Sequence, residues 1–346
     1  GLHIETSVTR LETYAACAYR HFLQYGLTLR ERQEFSFENV DMGNVYHAVL
    51  EQFAGKLKEE GYTWFDFPRE FAESGVQEAL ERYAWDGDWF LRGLDDDGNP
   101  IGTHTAQYGR IWLNPQSWMV IAGAGSKEKQ LHAMDSARNE LDTGMGLLLN
   151  APGYPGWPAK ESAMVNGLPA GYSENGGVFC QANCWAIMAE AMLGRGKLAC
   201  NDYMQVMPHK VIQKVGVERY HAEAYAYCST MLGKDNEKFG WGVVSQVTGT
   251  AAWMDVVATQ YLLGVRPVLQ GLLIDPSIPA EWEAYTVQRI FRGCRLNVKV
   301  ENPNHVQHGV KEMSFNGKQV ELTEGALISP KLLASCKEAQ VKVVMG

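Results

Sequence analysis

The run Glu174-Asn-Gly-Gly-Val-Phe-Cys-Gln181-Ala-Asn-Cys-Trp185 leads into a helical pattern over 185–193, and Thr248-Gly249-Thr-Ala-Ala-Trp253 leads into another over 250–263. Working outward, 116–124, 127–143, 197–206 and 221–232 also read as helices, separated by Gly- and aromatic-rich loops. Gly194 and Gly264 stand where helix C-terminal caps belong. Residues 90–93 and 110–113 flank Asp95-Asp-Asp-Gly-Asn99 and are expected to form a small hairpin. Alternating helices with polar loops at one end suit an α/α toroid.

Past Pro267 the pattern changes. Residues 287–291, 294–300, 310–315, 319–322 and 341–344 read as strands, and Asn316-Gly317 is a type I′ hairpin signal. Toward the start, 7–26, 42–60 and 68–83 read as amphipathic helices, with Val45, Val49, Leu50 and Phe53 inward on the second. The expected fold is mainly α with a C-terminal β domain. It comprises a short helical segment over 1–78, a partial (α/α)6 toroid over 79–268 and a small β-sandwich over 269–346.

Composition narrows the function. The 346 residues carry a net charge of −9, and no apolar run approaches the length of a membrane span. Residues 1–83 hold 8 Lys and Arg against 14 Asp and Glu, the opposite of the basic footprint that displaces counterions from nucleic acid. Seven cysteines and the lack of an Asn-x-Ser/Thr sequon point to a reducing cytoplasm. A Gly in place of Met at residue 1 suggests a fragment.

The two opening runs are joined in register by Trp85-Asp-Gly-Asp-Trp-Phe-Leu-Arg92, Leu113-Asn-Pro-Gln-Ser-Trp118, Leu193-Gly-Arg-Gly196, Gln260-Tyr-Leu-Leu-Gly-Val-Arg-Pro267 and Asp275-Pro-Ser-Ile-Pro279. From about residue 84 onward the chain resembles the cellobiose/chitobiose phosphorylase family, glycoside hydrolase family 94. The resemblance implies inverting phosphorolysis of a β-linked disaccharide, with inorganic phosphate as co-substrate and no cofactor. Phosphate is itself the nucleophile, so one carboxylic acid suffices to protonate the leaving oxygen. By the same resemblance Glu174 contacts the sugar, as does Ser229, where the family has Gln. Thr248 and Gly249 bind phosphate, joined by Gln181 where the family has His. The family's general acid lies in an Asp-Trp-Asn-Asp-like segment upstream of Trp85, and these residues contain none, so no catalytic residue is assigned. A homodimer is the family's tendency. Asp86 and Asp88 read as structural, 95–99 as a solvated turn, and Cys180 with Cys184 as too few for a metal.

The first 78 residues point elsewhere. Ser7-Val-Thr-Arg-Leu-Glu-Thr-Tyr-Ala-Ala-Cys17 and Asp41-Met-Gly-Asn-Val-Tyr-His47 are similar to the start of the nuclease domain of the AddB helicase–nuclease subunit. The resemblance makes Cys17 an iron–sulfur ligand, but its partners and the family's catalytic acids are absent, so no metal is expected. The chain thus reads as a join of two partial proteins near 74–83, with a DNA-processing fragment or a sugar-binding scaffold as competing functions.

Overall fold

The computed structural model describes Ala15 and residues 53–346, apart from 96, 247, 323, 324 and 335. Residues 53–346 fall within one compact unit, 39–346. The helix expected over 7–26 and the inward Val45, Val49 and Leu50 lie outside the described residues, as do Cys17 and His47.

Residues 53–60 are helical, and α1 (Arg69–Tyr83) follows the helix-compatible Pro68. Phe53 is buried and holds the two together through edge and tilted contacts to Trp64, Phe67 and Phe71. The Trp85 run that follows is a clamped loop. Gln116, fully buried, accepts from Phe90 N at 2.8 Å and donates to Phe90 O at 2.9 Å. Asp86 accepts from the backbone and ring of His104, and Asp88 meets His132 at 3.0 Å.

The expected 90–93/110–113 hairpin is not formed. Instead β1 (Gly93–Leu94) pairs with β2 (Pro100–Ile101), and β3 (Ile111–Trp112) pairs with β4 (Asn150–Ala151). The Asp95 carboxylate closes the shorter turn by accepting from Asp97 N, Asn99 N and Asn99 Nδ2. Those bonds, the Asn99 side chain first, hold its pKa below the usual carboxylate value.

The body is built on helices α2 (Leu113–Ile121), α3 (Lys127–Leu141), α4 (Cys180–Met192) and α5 (Gly196–Gln205). Helix α4 is its axis: ten of its thirteen residues are buried, from Cys180 to Ala191. An apolar face all round marks a helix enclosed by others rather than one lying on a surface. Gly194 takes φ +78° after α4, with Gly194 N on Ala191 O and Arg195 N on Glu190 O, a Schellman cap. Buried charge ties three helices: Arg138 on α3 forks onto Asp202 of α5 at 2.9 and 2.7 Å and reaches Glu190 of α4 at 2.8 Å. Arg195 completes the set, binding Glu190 and Asp135.

Strand β5 (Val178–Phe179) leads into α4 and pairs antiparallel with β6 (Cys228–Met231), which pairs with β7 (Gly242–Ser245). This corrects the helix expected over 221–232. Between α5 and β6 run α6 (Pro208–Val215) and the single turn α7 (Val217–Tyr220). Helix α8 (Thr250–Val256) continues as a π-helical segment (Val257–Leu262).

The remaining residues form two sheets over a second core. Strands β8 (Val265–Val268) and β9 (Gly271–Ile274) are followed by β10 (Ala284–Phe291), β11 (Cys294–Glu301), β12 (Val310–Phe315) and β13 (Lys318–Val320). Next come β14 (Leu327–Ile328), the turn α9 (Pro330–Leu333) and β15 (Glu338–Met345). The five-stranded order is β10-β11-β15-β12-β13 and the three-stranded order β14-β9-β8. Period-2 alternation buries Cys294, Leu296, Val298 and Val300 opposite Ala339, Val341, Val343 and Met345. Asn316 at φ 49° and Gly317 at φ 79° make the β12–β13 turn. Among the described residues no helix is long and apolar enough to cross a membrane.

Candidate functional site

Glu174 occupies a tight turn whose geometry is set by its neighbours. Ser173 has φ 47°, and Tyr172 bridges Asn175. Asn175 is fully buried; its amide accepts from Tyr154 N at 2.7 Å and donates to Tyr154 O and Leu168 O at 2.9 and 2.8 Å. Asn150 donates to Glu174 O at 2.5 Å. A Cβ on Gly177 would lie 2.7 Å from the Ser173 backbone, so the second glycine is a packing requirement. The turn is therefore fixed from below while the Glu174 side chain is exposed. Among the described residues its carboxylate has no hydrogen-bond partner.

Gln181 lies in the first turn of α4, because that helix begins at Cys180 and not at residue 185 as expected. Main-chain N–H groups of a first turn have no partner four residues back. Asn183 anchors this helix start, accepting from Leu147 N at 2.7 Å and donating to Leu147 O and Phe179 O. The Gln181 side chain is half-buried and reaches Gly249: a Cβ there would sit 3.1 Å from its Oε1 and 3.5 Å from its Nε2. The structure thus brings Gln181 and Gly249 together from separate segments. Thr248 lies beside them, half-buried, its Oγ1 2.7 Å from that of Thr250 and 3.2 Å from Thr250 N. Cys184 Sγ lies 3.4 Å from Cys180 O and 3.8 Å from Thr250 O, packing α8 against α4.

Ser229 lies on β6, next to the strand that feeds α4. Its hydroxyl donates to Val243 O at 3.0 Å, which leaves it acceptor capacity only. Among the described residues, neither Ser229 nor Glu174 shares a hydrogen bond with Gln181 or Gly249.

Three cysteines, Cys180, Cys184 and Cys228, lie buried in this part of the fold. Cys180 and Cys228 are buried with sulfurs 3.9 Å apart; the bond to Cys228 and burial together raise the Cys180 thiol pKa. Burial pushes Cys184 up to about 12. Among the described residues no three His, Cys, Asp or Glu side chains gather as a metal site.

Sequence reading missed the aromatic file behind the site. Trp118, 42 % exposed, meets Trp185 edge-on at 5.3 Å, and Trp185 meets Trp253 at 6.1 Å. The signal was present in the sequence: Trp185 and Trp253 each follow Gln181 and Gly249 by four residues, the spacing that shares a helix face.

Comparison with known proteins bears on the family. The family model described as "Glycosyl hydrolase 94 superfamily, catalytic domain" matches residues 31–264, so its match opens ahead of the Trp85 run. N,N'-diacetylchitobiose phosphorylase of Vibrio proteolyticus is 36% identical over 275 residues, covering 79% of this chain and 33% of that protein. Solabiose phosphorylase of Paenibacillus borealis is 32% identical over 278 residues, 80% of this chain and 36% of its own. The chain belongs to the glycosyl hydrolase 94 superfamily. It spans about a third of the length of these phosphorylases. A separate match covers 81 residues at 47% identity, to one subunit of the ATP-dependent helicase/deoxyribonuclease of Lachnoclostridium phytofermentans; it spans 22% of this chain and 7% of that protein.

Proposed function

We propose that this chain carries the phosphate-holding and part of the sugar-holding side of an inverting glycoside phosphorylase, which converts a β-linked disaccharide such as cellobiose to a sugar 1-phosphate. The observation that carries the reading is the contact of the Gln181 amide with Gly249, beside Thr248. It supports the reading because Gln181 and Gly249, two of the three expected ligands, come close from separate segments of a family member. The helical body is read as part of an (α/α)6 toroid and the two sheets as the trailing β-sandwich.

In this reading phosphate is held by the Thr248 hydroxyl, the Gly249 main-chain N–H and one N–H of Gln181. Such donors stabilise an oxyanion while leaving it free to attack the anomeric carbon. Gln supplies a hydrogen bond but not the charge a protonated His would bring. Glu174 receives sugar hydroxyls on its open carboxylate, and Ser229 accepts one. The leaving oxygen needs a protonated carboxylic acid, and none of the described site residues is placed for that role.

Titration of the purified chain with inorganic phosphate tests the site. Weak binding that is lost in Thr248→Val supports the reading, and equal binding by the variant removes it. Salt-sensitive binding of single-stranded DNA without phosphate binding would instead favour the nuclease-like segment as the functional part.

A further inference from the structure

We infer that Thr250 is a positioning residue that turns the Thr248 hydroxyl into an outward hydrogen-bond donor for a phosphate oxygen. This rests on the phosphate site proposed above. Thr250 is fully buried, and the two Oγ1 atoms are 2.7 Å apart, so a single hydrogen lies between them. A hydroxyl has one hydrogen to give and two lone pairs to receive. If Thr248 gave its hydrogen to Thr250, the Thr250 hydrogen would need another acceptor. Among the described residues Thr250 Oγ1 has none, and it is sealed from water. A buried donor without a partner is strongly disfavoured.

The hydrogen therefore comes from Thr250. Thr248 Oγ1 receives a second one from Thr250 N at 3.2 Å. Both of its lone pairs are then engaged, and its own hydrogen is the one valence left. Thr248 is only half-buried, and the exposed Gly249 follows it, so this hydrogen is free to meet a ligand. A site arranged this way offers a donor and no acceptor, which suits an oxyanion rather than a sugar hydroxyl. Cys184 Sγ, 3.8 Å from Thr250 O, packs this turn against α4.

The test is titration with inorganic phosphate of the wild-type chain, Thr248→Val, Thr250→Val, Thr250→Ser and the Thr248→Val/Thr250→Val double variant, each checked for its melting transition. Thr250→Val is expected to weaken phosphate binding roughly 5- to 10-fold, the scale of one ordinary hydrogen bond, since Thr248 keeps its hydroxyl but loses its fixed orientation. Thr250→Ser keeps the hydroxyl and should bind within about twofold of wild type. The double variant should be no weaker than Thr248→Val, since both remove the same contact. Should Thr250→Val not fold, Thr250→Ala takes its place with the same expectation. Wild-type-like binding by the hydroxyl-less variant, or losses that add in the double variant, overturns the inference while leaving the phosphate site standing. Absence of phosphate binding by the wild type overturns both.

Discussion

The Gln181 side-chain oxygen lies 3.1 Å from the point where a Cβ on Gly249 would be. Glycine is needed there for proximity and not for backbone freedom, because the Gly249 φ is −74°, open to any residue. Gly249→Ala should fold with little change in stability, since the crowded atom is the far end of a flexible side chain. It should displace the Gln181 amide and weaken phosphate binding several-fold, about the loss of one hydrogen bond. Paired phosphate titration and thermal melts check this, and unchanged affinity would separate Gln181 from the phosphate site.

The purified 346-residue chain is expected to give no sugar 1-phosphate from cellobiose and phosphate above background. A transition-state proton donor contributes about 10²–10⁴-fold, and these residues hold no Asp-Trp-Asn-Asp-like segment upstream of Trp85. A coupled assay for glucose 1-phosphate measures it. Robust turnover would show that another carboxyl group does the work.

At Gly196 the helical body meets the residues leading to the sheets backbone against backbone. A Cβ on Gly196 would sit 2.4 Å from both the N and O of Ile278, and neither can swing aside. Gly196→Ala should lower stability by about 1–3 kcal/mol, the usual effect of overpacking. Denaturant unfolding reads it, with Gly293→Ala as the comparison for a glycine of positive φ that has open space around it.

Arg138 is the shared partner of Glu190 and Asp202, both almost wholly buried. Replacing it with Met leaves buried Asp202 without its counter-ion and Glu190 with Arg195 alone, a loss of about 3–5 kcal/mol. Arg138→Met should melt far below the wild type. A melting point within a few degrees of wild type would mean that Arg195 alone neutralises Glu190.

Asp275 links β9 to His308 at 2.9 Å and to Arg266 at 3.3 Å. Burial raises its pKa, but the bond and charge from His308 and the charge of Arg266 outweigh this and hold it below the ordinary value of 3.8. A carboxyl group lowered in the folded state contributes stability above its unfolded pKa and loses it as pH falls through the folded one. Asp275→Asn should therefore reduce stability at neutral pH and narrow the gap to wild type below about pH 3.8. Urea midpoints across pH 2.5–7, in ~0.5-unit steps, measure the gap; a constant difference would assign the contact to packing.

Legibility followed the range of the interaction. The β12–β13 turn was readable because Asn316-Gly317 decides it within two residues. Glu174, Gln181, Thr248 and Gly249 could be proposed from the sequence because each sits in a local run. Their meeting could not, since the Gln181–Gly249 contact depends on β5, β6 and β7 folding the chain back. The same strands explain the misread 221–232 segment. Ala224, Cys228, Met231 and Leu232 carry apolar spacing that suits a helix, yet pairing of Cys228 with Ser245 and Thr230 with Val243 overrides it. The start of α4 was set too late because the Asn183 clamp on Leu147 lies outside any local pattern.

Strand β15 runs through the middle of the five-stranded sheet, parallel to β11 and antiparallel to β12. It is the keystone between halves of the sheet that share no other hydrogen-bonded seam. A protease cut or stop codon that removed it would bare two long unpaired edges at once. Such edges recruit strands from other molecules, so that kind of damage would turn a folded unit into a seed for precipitation.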